Sequence, residues 1–122
     1  MLLVFRAFLE LLLLEIDLER RDFASLYDKV RSCSTRTAPS TVSLGELCFA
    51  IDKACIWYPK TVLCLQRSAA TARYLRKHGI SAQLVIGAQQ FPFRAHAWVE
   101  FEGRVINDKP YMQEMYAVLD RC

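Results

Sequence analysis

The sequence has no long uncharged apolar run, no Cys-x-x-Cys pair, no block of like charge and no internal repeat or low-complexity segment. Each absence closes a class. Met1 to Leu18 is the most apolar stretch, yet it holds Arg6, Glu10, Glu15 and Asp17, too many charges for a membrane span. No basic region precedes it and no small-residue cleavage site follows, so it does not read as a secretory signal. Cys33, Cys48, Cys55, Cys64 and Cys122 are odd in number and do not spell a disulfide framework. Cys48 and Cys55 stand two helical turns apart and read as reduced, buried thiols of a cytosolic protein. The net charge of +3 sets 16 Lys and Arg against 13 Asp and Glu. Short clusters at Glu19-Arg20-Arg21 and Arg76-Lys77-His78 read as solvated helix ends, not as a phosphate-binding patch. A cytoplasmic protein is expected, with neither nucleic acid nor membrane as a partner.

What is present fits one globular domain. The chain has 122 residues, 53% hydrophobic and 24% charged, enough to bury roughly two thirds of its unfolded surface without metal or disulfide staples. Residues 1–56 read as N-terminal helices and 57–122 as a core that carries the chemistry. The first helix is expected over Leu2 to Glu19. On a helical projection Arg6, Glu10 and Asp17 form one narrow stripe and Glu15 stands nearly opposite, so most of the circumference is apolar. Such a helix is either deeply buried or meets another protein, and the small size of the chain favours the second.

Asp22 can cap a helix from Phe23 to Arg31, and a polar loop follows over Ser32 to Thr41. Ser43-Leu44-Gly45-Glu46 matches a capping box, placing a helix through Cys55 that stops before Pro59. The next helix starts near Val62 or Leu63 and runs to His78, with Gly79 as its C-terminal cap. Ser81 to Gly87, Arg94 to Phe101 and Arg104 to Asp108 read as strands of an antiparallel meander. Tyr116 to Leu119 fits a short strand or the end of a helix. The class is α+β.

Cys64 falls at a helix start, where unpaired N–H groups and the positive end of the dipole favour an anion. Catalytic cysteines commonly sit in such a place, but cysteine is also among the most often buried residues, so position alone does not make it a nucleophile. His96 lies mid-strand between two alanines, on one face with Trp98, and needs partners for its nitrogens if buried. Hairpin register decides whether Asp108 is one of them. A two-residue turn at Glu102-Gly103 would set His96 against Lys109. A three-residue loop, with Gly103 in the left-handed position, would pair Glu100 with Arg104 and His96 with Asp108. The second is predicted, because it also sets opposite charges across the strands. Cys64, His96 and Asp108 then make a nucleophile, a base and an orienter. Long spacings and the missing fourth ligand argue against a zinc site from the same residues. His78, beside Gly79, reads as a helix-end cap. Gln66, Arg67 and Trp98 lie near the expected site, as groove residues or as packing.

Cys64-Leu-Gln-Arg-Ser-Ala-Ala, Tyr74-Leu-Arg-Lys-His-Gly-Ile, Leu84-Val-Ile-Gly87, Phe91-Pro-Phe-Arg-Ala-His-Ala-Trp-Val-Glu100 and Gly103-Arg-Val-Ile-Asn-Asp108 resemble the leader peptidases of lasso-peptide biosynthesis, a branch of the transglutaminase-like superfamily. The resemblance runs from about Trp57 to Asp108. It implies a papain-like core with Cys64, His96 and Asp108 as catalytic residues and no cofactor. It also implies an activity, removal of the leader from a ribosomally made precursor peptide, after which an ATP-dependent cyclase closes the freed core peptide. The fused members carry a winged-helix leader-binding domain that this chain is too short to hold, so the resemblance implies the stand-alone peptidase of split systems. A separate leader-binding protein would then be a partner, and the apolar first helix is a docking surface for that protein or for the cyclase. A triad does not by itself choose water over an amine. A transglutaminase-like acyltransferase and a non-catalytic partner-binding module are therefore the alternatives, and a coenzyme A-dependent acyltransferase is disfavoured because no nucleotide site is legible.

Overall fold

In the computed structural model, residues 2–20, 22–37, 41–90 and 92–122 are described; 38–40 of the expected polar loop and residue 91 before the second strand fall outside them. The helices begin where caps were legible. The Asp22 carboxylate accepts the Ser25 N–H at 3.0 Å at the head of α2 (Phe23–Arg31). The Ser43 hydroxyl accepts the Glu46 N–H at 3.2 Å at the head of α3 (Leu44–Trp57). α4 (Cys64–Lys77) has Leu63 before it and no side-chain cap. It ends with His78 as C-cap and Gly79 at φ 84°. The Ile80 N–H returns to Leu75 and the Gly79 N–H to Arg76, which closes a Schellman motif.

α4 is the hub. Ala69, Ala70 and Ala72 are wholly buried, and side chains this small let α1 (Leu2–Arg20) and the sheet approach it closely. α1 buries Ala7, Leu11 and Leu14 in the main core, yet two charged residues go in beside them. Of the charged stripe Arg6 stays exposed, while Glu10, 5% exposed, meets Arg73 at 2.9 Å and Lys77, and Asp17 meets Lys29 at 2.7 Å. Leu2, Phe5, Leu9, Leu12 and Ile16 are left at the surface, all more than 40% exposed. The cause lies in the neighbours. α2 and α4 present Lys29, Arg73 and Lys77 to α1, and buried charges are tolerated only when paired.

The sheet is antiparallel in the order β3-β2-β1-β4, made of β1 (Gln83–Gln89), β2 (Arg94–Phe101), β3 (Arg104–Val105) and β4 (Ala117–Arg121). The first three strands form the expected meander, with β1 starting two residues later than predicted. After β3 the chain passes through α5 (Met112–Met115) to the far edge, where β4 pairs with β1. Leu84, Ala97 and Val99 face the main core with the helices, and Val85, Trp98 and Met112 form a second, small cluster.

The predicted hairpin register does not hold. Phe101 pairs with Arg104 and Glu100 with Val105, so the turn has two residues, Glu102 at φ 53° and Gly103 at φ 77°. Positive φ at both centres is the primed geometry that matches strand twist. Glu100 therefore does not meet Arg104; Arg121 lies 3.0 Å from its carboxylate, which also accepts Trp98 Nε1–H and the Gln113 amide. Among the described residues no helix is long and apolar enough to cross a membrane.

Candidate active site

β3 stops after two residues, and that stop delivers Asp108 to His96. The Ile106 N–H still bonds to the Val99 carbonyl at 3.0 Å, but the Val99 N–H goes to the side chain of Asn107 at 2.7 Å. Once a side-chain amide has replaced the next rung, the chain leaves the ladder and bends. Its bend carries Asp108 back toward β2, where Oδ2 lies 2.7 Å from His96 Nε2. The predicted pair thus forms by a route that strand register excludes.

Asn107 also donates to Ser68 Oγ at 3.0 Å, and Ser68 donates to the Ala97 carbonyl at 3.0 Å. Asn107 and Ser68 together stitch α4, which begins at Cys64, to the strand that carries His96. Neither had been singled out from the sequence. The only signal was that Asn107 immediately precedes the predicted aspartate.

His96 rests in an aromatic stack. Its ring is 5.5 Å from Tyr116 and 6.3 Å from Trp98, at interplanar angles of 22° and 27°. Across the strands it sits opposite Gly87. A Cβ at Gly87 would lie 2.5 Å from the Trp98 ring and 2.9 Å from Tyr116 Cβ, so this shelf needs a residue without a side chain.

A carboxylate only accepts, so the nitrogen facing Asp108 must be N–H. That leaves Nδ1 of the neutral ring with the lone pair, able to take a proton. The Asp108 carboxyl is half enclosed, and desolvation works against its charge. The His96 hydrogen bond, the Lys109 N–H at 2.8 Å and the nearby positive charge outweigh that and hold it below the ordinary aspartate range. The side chains of His96 and Asp108 are 24% and 26% exposed.

Cys64 is exposed at the start of α4 and lines one cavity of about 270 Å³ with His96. Cys33, Cys48, Cys55 and Cys122 are each partly buried. Burial pushes Cys48, Cys55 and Cys122 above the ordinary thiol range. The remaining sequence candidates separate from this cavity. Gln66 is buried and donates to the Leu11 carbonyl at 2.9 Å, tying α4 to α1; Arg67 pairs with Asp52; Trp98 is the buried shelf. His78 caps α4, its Nδ1 2.9 Å from the Tyr74 carbonyl. Among the described residues no group of His, Cys, Asp and Glu converges as a metal site requires.

A thiol at a helix start, lining one cavity with a histidine from an antiparallel sheet, is found here in a chain whose residues 8–121 match the model of the transglutaminase-like superfamily. The chain belongs to that superfamily. Over 56 residues it is 46% identical to the microcin J25-processing protein McjB of Escherichia coli, a stretch that is 46% of this chain and 27% of that protein. The match thus spans about a quarter of the relative's length. No solved structure gives a significant match.

Proposed function

We propose that this chain is a cytoplasmic cysteine peptidase that removes the leader from a ribosomally made lasso-peptide precursor. The observation that carries the reading is the single cavity shared by Cys64 and His96, with His96 held by Asp108 at 2.7 Å. The likeness to a microcin-processing protein supports the substrate class.

In this reading His96 Nδ1 takes the Cys64 thiol proton, and Sγ attacks the carbonyl carbon at the leader–core junction. The developing oxyanion meets backbone N–H groups at the uncapped start of α4, including that of Cys64. His96 passes its proton to the departing amine of the core peptide, leaving the leader as a thioester on Cys64. Water, deprotonated by His96, then attacks the thioester and frees the leader and the thiol. Asp108 holds the imidazole in the tautomer that exposes Nδ1 and stabilises the imidazolium that forms. No cofactor enters.

The outer face of α1 supports the expectation of a partner, a separate leader-binding protein of the winged-helix kind, with the ATP-dependent cyclase acting on the product. Leu2, Phe5, Leu9, Leu12 and Ile16 recur at heptad spacing, and beside them Leu2, Val4, Phe5, Phe8 and Trp57 line an apolar hollow of about 550 Å³. Phe8 packs 5.1 Å from the Tyr58 ring, so Leu12→Lys is the cleaner probe of docking. It should weaken partner binding while leaving the melting temperature nearly unchanged.

Intact mass spectrometry tests the chemistry. The chain, its precursor and the leader-binding partner should yield two fragments that sum to the precursor plus one water, with none from Cys64→Ala. A precursor that gains the mass of an added amine would assign the transglutaminase-like acyl transfer instead. One that stays whole would leave a binding module.

A further inference from the structure

Beyond Cys64 and His96, the residues lining their shared cavity are Phe23, Leu65, Ile86, Ala95 and Ala97. They come from α2, α4, β1 and β2, so four elements converge on an apolar wall beside the thiol. No charged residue lines it among the described residues. Phe23 is 47% exposed and Leu65 and Ile86 are partly so, which leaves apolar surface open where a bound group could cover it. The space behind Asp108 contrasts with this. It holds about 310 Å³ and is lined by Cys48, Asp52, Arg67 and Thr71 among others, so polar and charged groups gather there.

We propose that Phe23, Leu65 and Ile86 form a specificity subsite for an apolar side chain on the acyl side of the bond that Cys64 attacks. The inference rests on Cys64 being the nucleophile, as set out above, and adds the chemical class of substrate. Leu65 follows Cys64 at the first turn of α4. A peptide with its carbonyl carbon at Sγ and its oxygen at the first α4 amides has its flanking side chain over this wall. The volume admits one large or two small apolar side chains. Burying one stabilises the complex through the area removed from water. A carboxylate laid against Phe23, Leu65 and Ile86 would give up water for a wall that carries no hydrogen-bonding side chain. Discrimination between an apolar and an acidic residue is expected to be on the order of 10- to 100-fold in kcat/KM.

The test uses the full chain and needs no natural substrate. Two acetylated dipeptidyl chloromethyl ketones, Leu-Leu and Asp-Asp, are compared by the rate at which they alkylate Cys64, read by peptide-mapping mass spectrometry. Iodoacetamide on the wild type and on His96→Ala reports whether Cys64 is activated at all. The subsite predicts that the Leu-Leu reagent reacts at least 10-fold faster. Phe23→Leu should keep that preference, and Phe23→Glu, checked for folding by circular dichroism, should abolish it. Equal rates with the two reagents, while iodoacetamide still shows His96-dependent activation, would overturn the subsite and leave the peptidase reading standing. Iodoacetamide rates that ignore the loss of His96 would overturn both. A preference for Leu-Leu that survives Phe23→Glu would overturn the assignment of the wall.

Discussion

At the scale of single residues, Asp108 carries the clearest pH signature. Its folded-state pKa lies below the ordinary value because the hydrogen bonds from His96 and Lys109 outweigh desolvation. A depressed carboxyl contributes stability above its unfolded pKa and loses it as pH falls through the folded one. The window is therefore acidic, below about pH 4. Asp108→Asn should be less stable than the wild type at pH 5–7. The gap should close as both are acidified toward pH 2, which urea titrations across that range measure. A gap that stays constant with pH would mean that Asp108 acts by packing rather than charge. On the peptidase reading the same substitution lowers kcat by on the order of 10²–10⁴-fold, because the amide no longer selects the tautomer. The pairing of His96 with Asp108 was legible from the residues, but the reason for it was not. A three-residue loop ranked above a Glu102-Gly103 turn because it set Gly103 alone in the left-handed position and Glu100 opposite Arg104. Glu102 takes φ 53° all the same. The replacement of a ladder rung by the Asn107 side chain leaves no periodic mark in a sequence.

At the scale of elements, the helices were legible because their ends are written in short-range chemistry: Asp22 on Ser25, Ser43 on Glu46, and Gly79 after His78. β2 was legible to the residue from its alternation. α1 was legible as a helix but not in its orientation. A hydropathy stripe says which residues share a face, and only the cations on α2 and α4 decide that the face with Glu10 and Asp17 turns inward. β4 was ambiguous because the connection from β3 crosses the whole sheet to reach the far side of β1 and the strand's own residues are all exposed. Gly87 shows how tightly β1, β2 and the segment before β4 close around His96. Gly87→Ala would put a methyl group within 3 Å of both Trp98 and Tyr116. Neither is the free end of a flexible chain, so the shelf must shift. The expected cost is about 1–3 kcal/mol of stability, and on the peptidase reading kcat should fall more than KM rises because the stack holds the imidazole. Thermal melting and steady-state kinetics on the same preparation separate the two effects. An Ala variant with unchanged melting and kinetics would show that the shelf yields freely.

At the scale of the molecule, α4 has two ends with different duties. Its first turn carries Cys64, and its middle is tied through Ser68 and Asn107 to the strand with His96. Its last turn carries Arg76, buried at 7% exposure. The Arg76 guanidinium donates to Val30 at 2.6 Å, Cys33 at 3.3 Å and Ala82 at 2.8 Å, and also to the Cys122 carbonyl. One side chain thereby joins the end of α2, the loop after it, the entry to β1 and the strand edge beyond β4. Arg76 lies twelve helical steps beyond Cys64, about 18 Å at helical rise. Arg76→Met keeps much of the volume but leaves those carbonyls without their donor. Lost charge-assisted bonds and stranded acceptors put the cost at about 3–5 kcal/mol, a fall in melting temperature on the order of 10–20 °C for a chain of this size. The site end of α4 is held by a separate set of contacts. Well below the new melting temperature, alkylation of Cys64 should therefore proceed at the wild-type rate and with the same dependence on His96. Differential scanning fluorimetry and iodoacetamide kinetics at 15 °C would check both halves. A drop in Cys64 reactivity in the folded variant would show instead that strain travels the length of the helix, and that α4 works as a single rigid bar between its two ends.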